Sequence, residues 1–168
     1  PYDHRGNLLK LEPPFAGSAK ARTTYTYDAV GNQLSEEICN NKAGAAFAST
    51  RKTTSEYDAW GNLLTTIRYE GGTGASYRQF YYDEKGQVLR EYKGLSKPLT
   101  ITGLDRVTSG GDDEYTTTKY VYDYLGNVTQ TTDAEGAVET TTYDPGGNPL
   151  VKTDKAGGTK TCTYDQLG

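Results

Sequence analysis

One short element, Tyr-Asp-x-x-Gly, recurs seven times in the 168 residues of this sequence. An internal repeat constrains a fold strongly, because each copy must form the same local structure and pack against its neighbours. Asparagine follows the glycine in most copies, and Gln87 replaces it once. The tyrosines of the seven copies are Tyr2, Tyr27, Tyr57, Tyr82, Tyr122, Tyr143 and Tyr164, the aspartates are Asp3, Asp28, Asp58, Asp83, Asp123, Asp144 and Asp165, and the glycines are Gly6, Gly31, Gly61, Gly86, Gly126, Gly147 and Gly168.

A second Asp-x-x-Gly, without the tyrosine, lies between the last copies at residues 133–136 and 154–157. With these included, the aspartates from Asp123 to Asp165 are separated by steps of 10, 11, 10 and 11 residues. Such a step leaves about four residues for a turn and six or seven for a strand, which is close to the usual strand length. The spacing therefore predicts that each step is half of a β-hairpin.

The residue types of the motif suit a chain reversal. Aspartate at the first position of a type I turn accepts a backbone hydrogen bond from two residues on, and glycine at the fourth adopts the left-handed conformation that closes a bulged hairpin. Before the turn, Tyr25 and Tyr27 alternate with Thr24 and Thr26, which is the period of a strand. We expect the tyrosine rings to stack into a ladder that joins successive hairpins, with apolar residues such as Leu34 packed against them.

The copies are 25, 30, 25 and 40 residues apart before they settle at 21. The wider intervals predict loops at the edge opposite the Tyr-Asp turns, near residues 11–21, 40–49, 71–75 and 94–114, the last with room for a short strand near 99–101. Two strands per interval give about twelve in one antiparallel hairpin meander over residues 1–168. Such a sheet should curve, since open twisted sheets rarely exceed ~10 strands without curling. The sequence begins and stops inside the motif, so we expect a fragment of a longer chain.

The composition agrees with an ordered all-β chain and excludes some classes of partner. The 15 tyrosines and the net charge of −4 are not typical of disorder. There is no cluster of Lys and Arg, so we expect neither nucleic acid nor an anionic membrane surface as a partner. No segment approaches the ~20 apolar residues of a membrane span, and we expect no targeting signal within this sequence.

The copies written YDHRGN, YDAVGN, YDAWGN and YDYLGN resemble the YD repeat, also termed the Rhs repeat, of Rhs proteins and of the B and C components of Tc toxins. The resemblance covers nearly the whole chain. It implies a hollow β-cage that encloses a toxic C-terminal domain until delivery. The chain would then be a passive, non-enzymatic shell segment of an exported bacterial protein, secreted or at the cell surface. Its partners would be the rest of the shell and the enclosed toxin domain.

Exposed aromatic residues suggest a second hypothesis, a carbohydrate-binding or cell-surface adhesion module built from the same repeats. Trp60 occupies the variable third position of its turn and is the candidate glycan contact. The alternative, which we favour, is that its indole fills a gap against a neighbouring turn.

Catalysis has one candidate, at Asp144 in the sequence Asp-Pro-Gly-Gly. The resemblance raises autoproteolysis there, because related cages cut themselves at a DPxG-containing core. The competing interpretation is an ordinary turn with proline at its favoured second position, and we favour it. His4 has no nucleophile or carboxylate at a fixed spacing in the sequence, so we predict that it is a surface residue. We therefore assign no catalytic residue.

We also expect no metal and no cofactor. Each motif aspartate is alone in its turn, whereas calcium loops place acidic groups at alternate positions. Cys39 and Cys162 are far apart, without a CxxC spacing or a histidine companion, so neither a zinc site nor a disulfide framework is predicted. A single disulfide between Cys39 and Cys162 is the alternative that an oxidising compartment would allow.

Overall fold

A computed structural model describes residues 1–12, 20–41, 46–71, 73–95, 100–103, 106–108 and 115–164. These residues form β-strands and no helix, which confirms the predicted fold class. The strands are β1 (Lys10–Leu11), β2 (Lys20–Tyr27), β3 (Gln33–Asn41), β4 (Ala48–Tyr57), β5 (Leu63–Glu70), β6 (Thr73–Tyr82), β7 (Val88–Leu95), β8 (Thr100–Gly103), β9 (Arg106–Thr108), β10 (Tyr115–Tyr122), β11 (Val128–Thr132), β12 (Val138–Tyr143), β13 (Pro149–Thr153) and β14 (Thr159–Thr161).

The main structure is a 12-stranded antiparallel sheet in the order β1 to β7 followed by β10 to β14. Every strand pairs with the next one in the chain, except that β7 pairs with β10 across the longest insertion. The predicted number of strands and the meander are thus confirmed for the described residues. An isolated bridge between Tyr2 and Leu8 extends the pairing around the first turn.

The Tyr-Asp turns of the described residues, termed YD turns below, lie at one edge of this sheet. The opposite edge contains the ends of β1, β3, β5 and β7 and the beginnings of β2, β4, β6 and β10. The Asp133 and Asp154 turns are at that opposite edge too, between β11 and β12 and between β13 and β14. The two edges therefore differ in kind: one is a regular row of YD turns, and the other mixes short turns with inserted segments.

The strands reach further into the predicted loops than the sequence suggested. β3 includes residues 40–41, β4 begins at Ala48 and β6 begins at Thr73. Strand pairing propagates over Asn, Ala and Gly here because the neighbouring strand supplies backbone partners, which outweighs their weak local preference for strands. Residues 13–19, 42–45, 72, 96–99, 104–105, 109–114 and 165–168 lie outside the described residues.

The insertion between β7 and β10 carries its own small hairpin. β8 and β9 form a separate two-stranded antiparallel sheet, in which Ile101 is opposite Val107. The short strand predicted near 99–101 is thus present from residue 100 onward and has a partner that the sequence did not suggest. Residue 99 lies outside the described residues.

The main sheet has little core. Within the described part of the chain, each of its strands contacts only the strands beside it, so the sheet is a single layer. The buried apolar side chains there are Cys39, Tyr77 and Tyr92, and Ile67 packs against the two tyrosines. Because little apolar surface is removed from water, hydrogen bonds between neighbouring strands must supply much of the stability of the sheet.

Candidate functional site: the row of YD turns

The turn at Asp58 shows the geometry that the motif produces. The Asp58 N–H donates to the carbonyl of Asn62 at 2.9 Å, and the Gly61 N–H donates to the carbonyl of Asp58 at 3.1 Å. The carboxylate completes the turn: Oδ1 accepts from the backbone N–H groups of Trp60 and Asn62 at 2.9 and 2.8 Å, and Oδ2 accepts from Asn62 Nδ2 at 2.8 Å. Aspartate, glycine and asparagine thus each have a separate task in one five-residue reversal.

The same backbone pattern recurs at the described YD turns and at the two turns of the opposite edge. In each, the aspartate N–H bonds the carbonyl four residues later and the glycine N–H bonds the aspartate carbonyl. The closing glycine always has a positive φ, from +79° at Gly86 to +103° at Gly31, which other residue types adopt only with strain. The register shifts by one residue beside five of the YD turns, at Tyr27, Tyr57, Tyr82, Tyr122 and Tyr143.

Hydrogen bonding lowers the pKa of Asp123 and of Asp144. At Asp123, the side-chain hydrogen bond from Asn127 lowers the pKa and outweighs the effect of desolvation. At Asp144, the backbone and side-chain hydrogen bonds of Asn148 lower the pKa in the same way. These two carboxylates are therefore ionised acceptors, and each one accepts hydrogen bonds within its own turn.

From Tyr27 onward, the tyrosine of each motif copy forms a hydrogen bond to the hairpin of the copy before it. Its hydroxyl donates to a backbone carbonyl that lies five residues after the aspartate of the preceding YD turn and belongs to the neighbouring hairpin. The pairs are Tyr27 to Leu8 (3.0 Å), Tyr57 to Gln33 (3.1 Å), Tyr82 to Leu63 (2.8 Å), Tyr122 to Val88 (2.9 Å), Tyr143 to Val128 (2.9 Å) and Tyr164 to Pro149 (2.9 Å). These six bonds form a tyrosine ladder along the YD edge.

The ladder differs from the expected one in its chemistry. Successive YD tyrosines are joined by a hydroxyl and a carbonyl, whereas the described ring–ring contacts are Phe80 with Tyr82 and Tyr92 with Tyr115. The expectation of stacked rings was therefore wrong. Burial, the largest effect, raises the pKa of Tyr82 and of Tyr122, so both hydroxyls stay protonated as donors.

The candidate residues Asp144, His4 and Trp60 lie in three different YD turns. Asp144 accepts at Oδ1 from the N–H groups of Gly146 and Asn148 and at Oδ2 from Asn148 Nδ2, which is the ordinary turn geometry. His4 lies in the first turn and is exposed. The Trp60 side chain is 88% exposed, so the expectation that it fills a gap against a neighbouring turn was wrong.

An open groove lies beside Trp60, between its turn and the next one. It has a volume of ≈ 610 Å³ and is lined by Asp58, Trp60, Asn62, Leu64, Phe80, Tyr81, Tyr82, Asp83, Glu84, Lys85 and Gly86. Grooves of ≈ 540 and ≈ 430 Å³ lie at equivalent places between the turns of Asp83 and Asp123 and between those of Asp3 and Asp28. The YD edge therefore presents a series of similar clefts with different side chains at their rims.

One polar cluster was not singled out by the sequence. The buried carboxylate of Glu91 accepts from Arg78 Nε at 2.6 Å and forms a salt bridge with the same guanidinium. Lys93 Nζ lies 3.5 Å from its other oxygen, and the Tyr120 hydroxyl donates to that oxygen at 3.4 Å. Burial and the Glu91 charge raise the pKa of Tyr120. Only the strand register brings these residues together, so no local motif could have revealed them.

Other site classes can be described for the same residues. The described ranges hold no group of three or more His, Cys, Asp or Glu placed to bind a metal ion. Cys39 and Cys162 are both free thiols. No helix in the described part of the chain is long and apolar enough to cross a membrane.

The fold and the ladder define a repeat protein built as one extended antiparallel sheet. Residues 122–160 match the family model described as RHS Repeat, which confirms the resemblance to YD repeats for that segment. No curated protein sequence matches the chain.

Two solved structures share the fold. One is the crystal structure of TcdB2-TccC3-TEV, with a TM-score of 0.60 and 18% identity over 99% of this chain and 8% of that one. The other is the Photorhabdus luminescens Tc holotoxin pore with a mutated TccC3, with a TM-score of 0.58 and 17% identity over 98% of this chain and 8% of that one. The chain thus spans about 8% of the length of these structures.

Proposed function

We propose that this sheet is a passive wall segment in the shell of an exported Rhs-type toxin protein, and that the shell encloses a toxic domain. The observation that carries this proposal is the tyrosine ladder, because it joins hairpin after hairpin into one continuous layer. A repeat that bonds only its neighbours can be extended without limit, which is the property a wall requires.

The distribution of buried and polar groups supports a structural role. A sheet one layer thick buries little on either face and so suits a partition better than a compact enzyme core. The turn aspartates, which are the most regular acidic groups in the chain, are used as acceptors by their own turns. We therefore assign the segment no enzymatic activity.

The partners in this proposal are the remainder of the shell and the enclosed domain. The outer strands of an open sheet present unpaired backbone groups, and further YD hairpins would satisfy them. The similarity of residues 122–160 to RHS repeats and the fold shared with Tc toxin structures support a place in an exported toxin component, secreted or at the cell surface.

Cryo-electron microscopy of the native polypeptide that carries this sheet tests the proposal. We expect a closed hollow shell, with this sheet in its wall and a protease-protected domain inside. A compact or filamentous particle, or an interior domain digested as fast as a free one, would contradict it.

A second candidate function is carbohydrate binding, favoured by the exposure of Trp60 over an open groove. Glycan-array binding that disappears in Trp60→Ala would support it. An array without signal for the parent protein would reject it.

A further inference from the structure

The Trp60 groove combines an exposed aromatic face with carboxylates. The indole is 88% exposed at the tip of its turn, and the groove beside it contains Asp58, Asp83 and Glu84 with the single cation Lys85. An indole face is the best natural platform for a cation, and nearby carboxylates add electrostatic attraction. The charge and the chemistry of the groove are therefore complementary to a cationic side chain.

The sheet already uses this combination for one of its own arginines. The Arg78 guanidinium lies 5.4 Å from the centroid of the Phe80 ring and forms a salt bridge with Glu91. Phe80 is itself one of the groove residues. A second guanidinium, that of Arg22, lies 4.4 Å from the centroid of the Phe47 ring. Two aromatic rings of this chain, one in a strand and one just before β4, thus already contact a guanidinium, and Trp60 offers a larger and more exposed ring.

Turn chemistry gives no reason for a tryptophan at this position. The third residue of a type I turn accepts most residue types, and small polar residues are favoured at such tips. An indole exposed to water at a tip loses the benefit of burying its apolar surface. Its presence is explained if a partner covers it.

We propose that the groove at Trp60 binds an arginine-bearing peptide segment of a partner protein. The guanidinium stacks on the indole and pairs with Glu84, which is exposed and close to the groove rim, while the apolar part of the segment contacts Leu64 and Phe80. Lys85 opposes this binding by its charge. The interaction is independent of the proposed shell role, because it concerns one groove and not the continuity of the wall.

Trp60 reports directly on its own groove, because it is the only tryptophan in the chain. The experiment is a titration of Trp60 fluorescence in the full chain with a hexa-arginine peptide and with the matched hexa-citrulline peptide, which has a similar shape and no charge. We expect a saturable change with arginine that weakens at higher salt, and none with citrulline. An equal response to both peptides, or no response to either, overturns the proposal.

Three variants distinguish binding in the groove from a general electrostatic attraction of the peptide to an acidic protein. Glu84→Gln should weaken arginine binding by roughly 2- to 5-fold, the size of an exposed ion pair, and Lys85→Gln should strengthen it by a similar factor. Glu135→Gln removes one charge from the opposite edge and should leave the affinity unchanged. If Glu84→Gln and Glu135→Gln have the same effect, the attraction is not local and the proposal fails.

Discussion

The hydroxyl of Tyr122 donates a 2.9 Å hydrogen bond to the backbone carbonyl of Val88, which lies 34 residues earlier in the chain. Between the two residues lie the longest insertion and the separate β8–β9 hairpin. The bond has the same length as the bond from Tyr143 to Val128, which spans a short interval, at 2.9 Å. The ladder therefore keeps its spacing however much chain is inserted at the opposite edge.

Removing one rung of the ladder should destabilise the sheet. Tyr122→Phe keeps the ring and deletes the donor, which leaves the Val88 carbonyl without this bond, and we expect a loss of about 1 kcal/mol in the free energy of unfolding. Urea denaturation followed by circular dichroism measures it. Tyr124→Phe is the matched control, because Tyr124 is 81% exposed at the tip of the same YD turn. Equal losses in the two variants would show that the rung contributes nothing specific.

Gly94 should tolerate no side chain while Tyr77 is present. Gly94 and Tyr77 are opposite each other in β7 and β6, and an added Cβ would lie 2.5 Å from Cζ of the tyrosine ring. We expect Gly94→Ala to cost roughly 1–3 kcal/mol, as overpacking does. Thermal denaturation of the single and double variants measures it.

The cause of that loss can be checked by a second substitution. Tyr77→Val should relieve much of the cost of Gly94→Ala, because it removes the ring that clashes. It should leave the cost of Gly31→Ala unchanged, since Gly31 has φ +103° with open space around it and its penalty is backbone strain of roughly 1–2 kcal/mol. Additive losses for the Tyr77 and Gly94 changes would rule out the proposed contact.

Acid should weaken the YD turns. In the folded chain, the pKa of Asp123 is lowered from 3.8, chiefly by the hydrogen bond from the Asn127 side chain. The charged carboxylate therefore gives its full contribution to stability above pH 3.8, and this contribution is lost as the pH falls through the lower pKa of the folded chain. We expect the urea midpoint to fall between pH 5 and pH 3. Asp123→Asn should be less stable at pH 5 but lose less between the two pH values. A variant that loses as much as the parent would show that this carboxylate is not responsible.

Asp144 should not cut the chain. Its two carboxylate oxygens are engaged by Gly146 and Asn148, and its pKa is lowered, so it is poorly suited to donate a proton or to attack a peptide bond. We expect the purified chain and Asp144→Asn to give the same intact mass after prolonged incubation. Fragments present in the parent and missing from the variant would establish autoproteolysis.

The turns could be predicted because their chemistry is local. Asp28 and Gly31 identify a bulged reversal from four residues of sequence, and the regular steps after Asp123 then give the order of the strands. The acceptor of each ladder hydroxyl could not be predicted in the same way. The Leu63 carbonyl that meets Tyr82 is an ordinary backbone group, and only the pairing of the strands between them brings it within reach.

The same limit applies to side-chain clusters and to loop ends. Arg78 and Glu91 meet because β6 and β7 pair in a particular register, which alternation alone does not fix. The predicted loops included residues that belong to strands, because local propensity does not account for the pairing that a neighbouring strand provides. The exposure of Trp60 depends on how adjacent turns are spaced, and a motif cannot give that distance.

The central claim is that each YD turn is one step along a single continuous sheet. Double electron–electron resonance tests it most directly, with spin labels at the turn-tip positions Ala29, Glu84 and Tyr124 after Cys39 and Cys162 are replaced by alanine. Adjacent YD turns are two strands apart, about 9.6 Å, so the distance from position 29 should be roughly 19 Å to position 84 and roughly 29 Å to position 124. A distance to position 124 that is no longer than that to position 84 would contradict the continuous sheet.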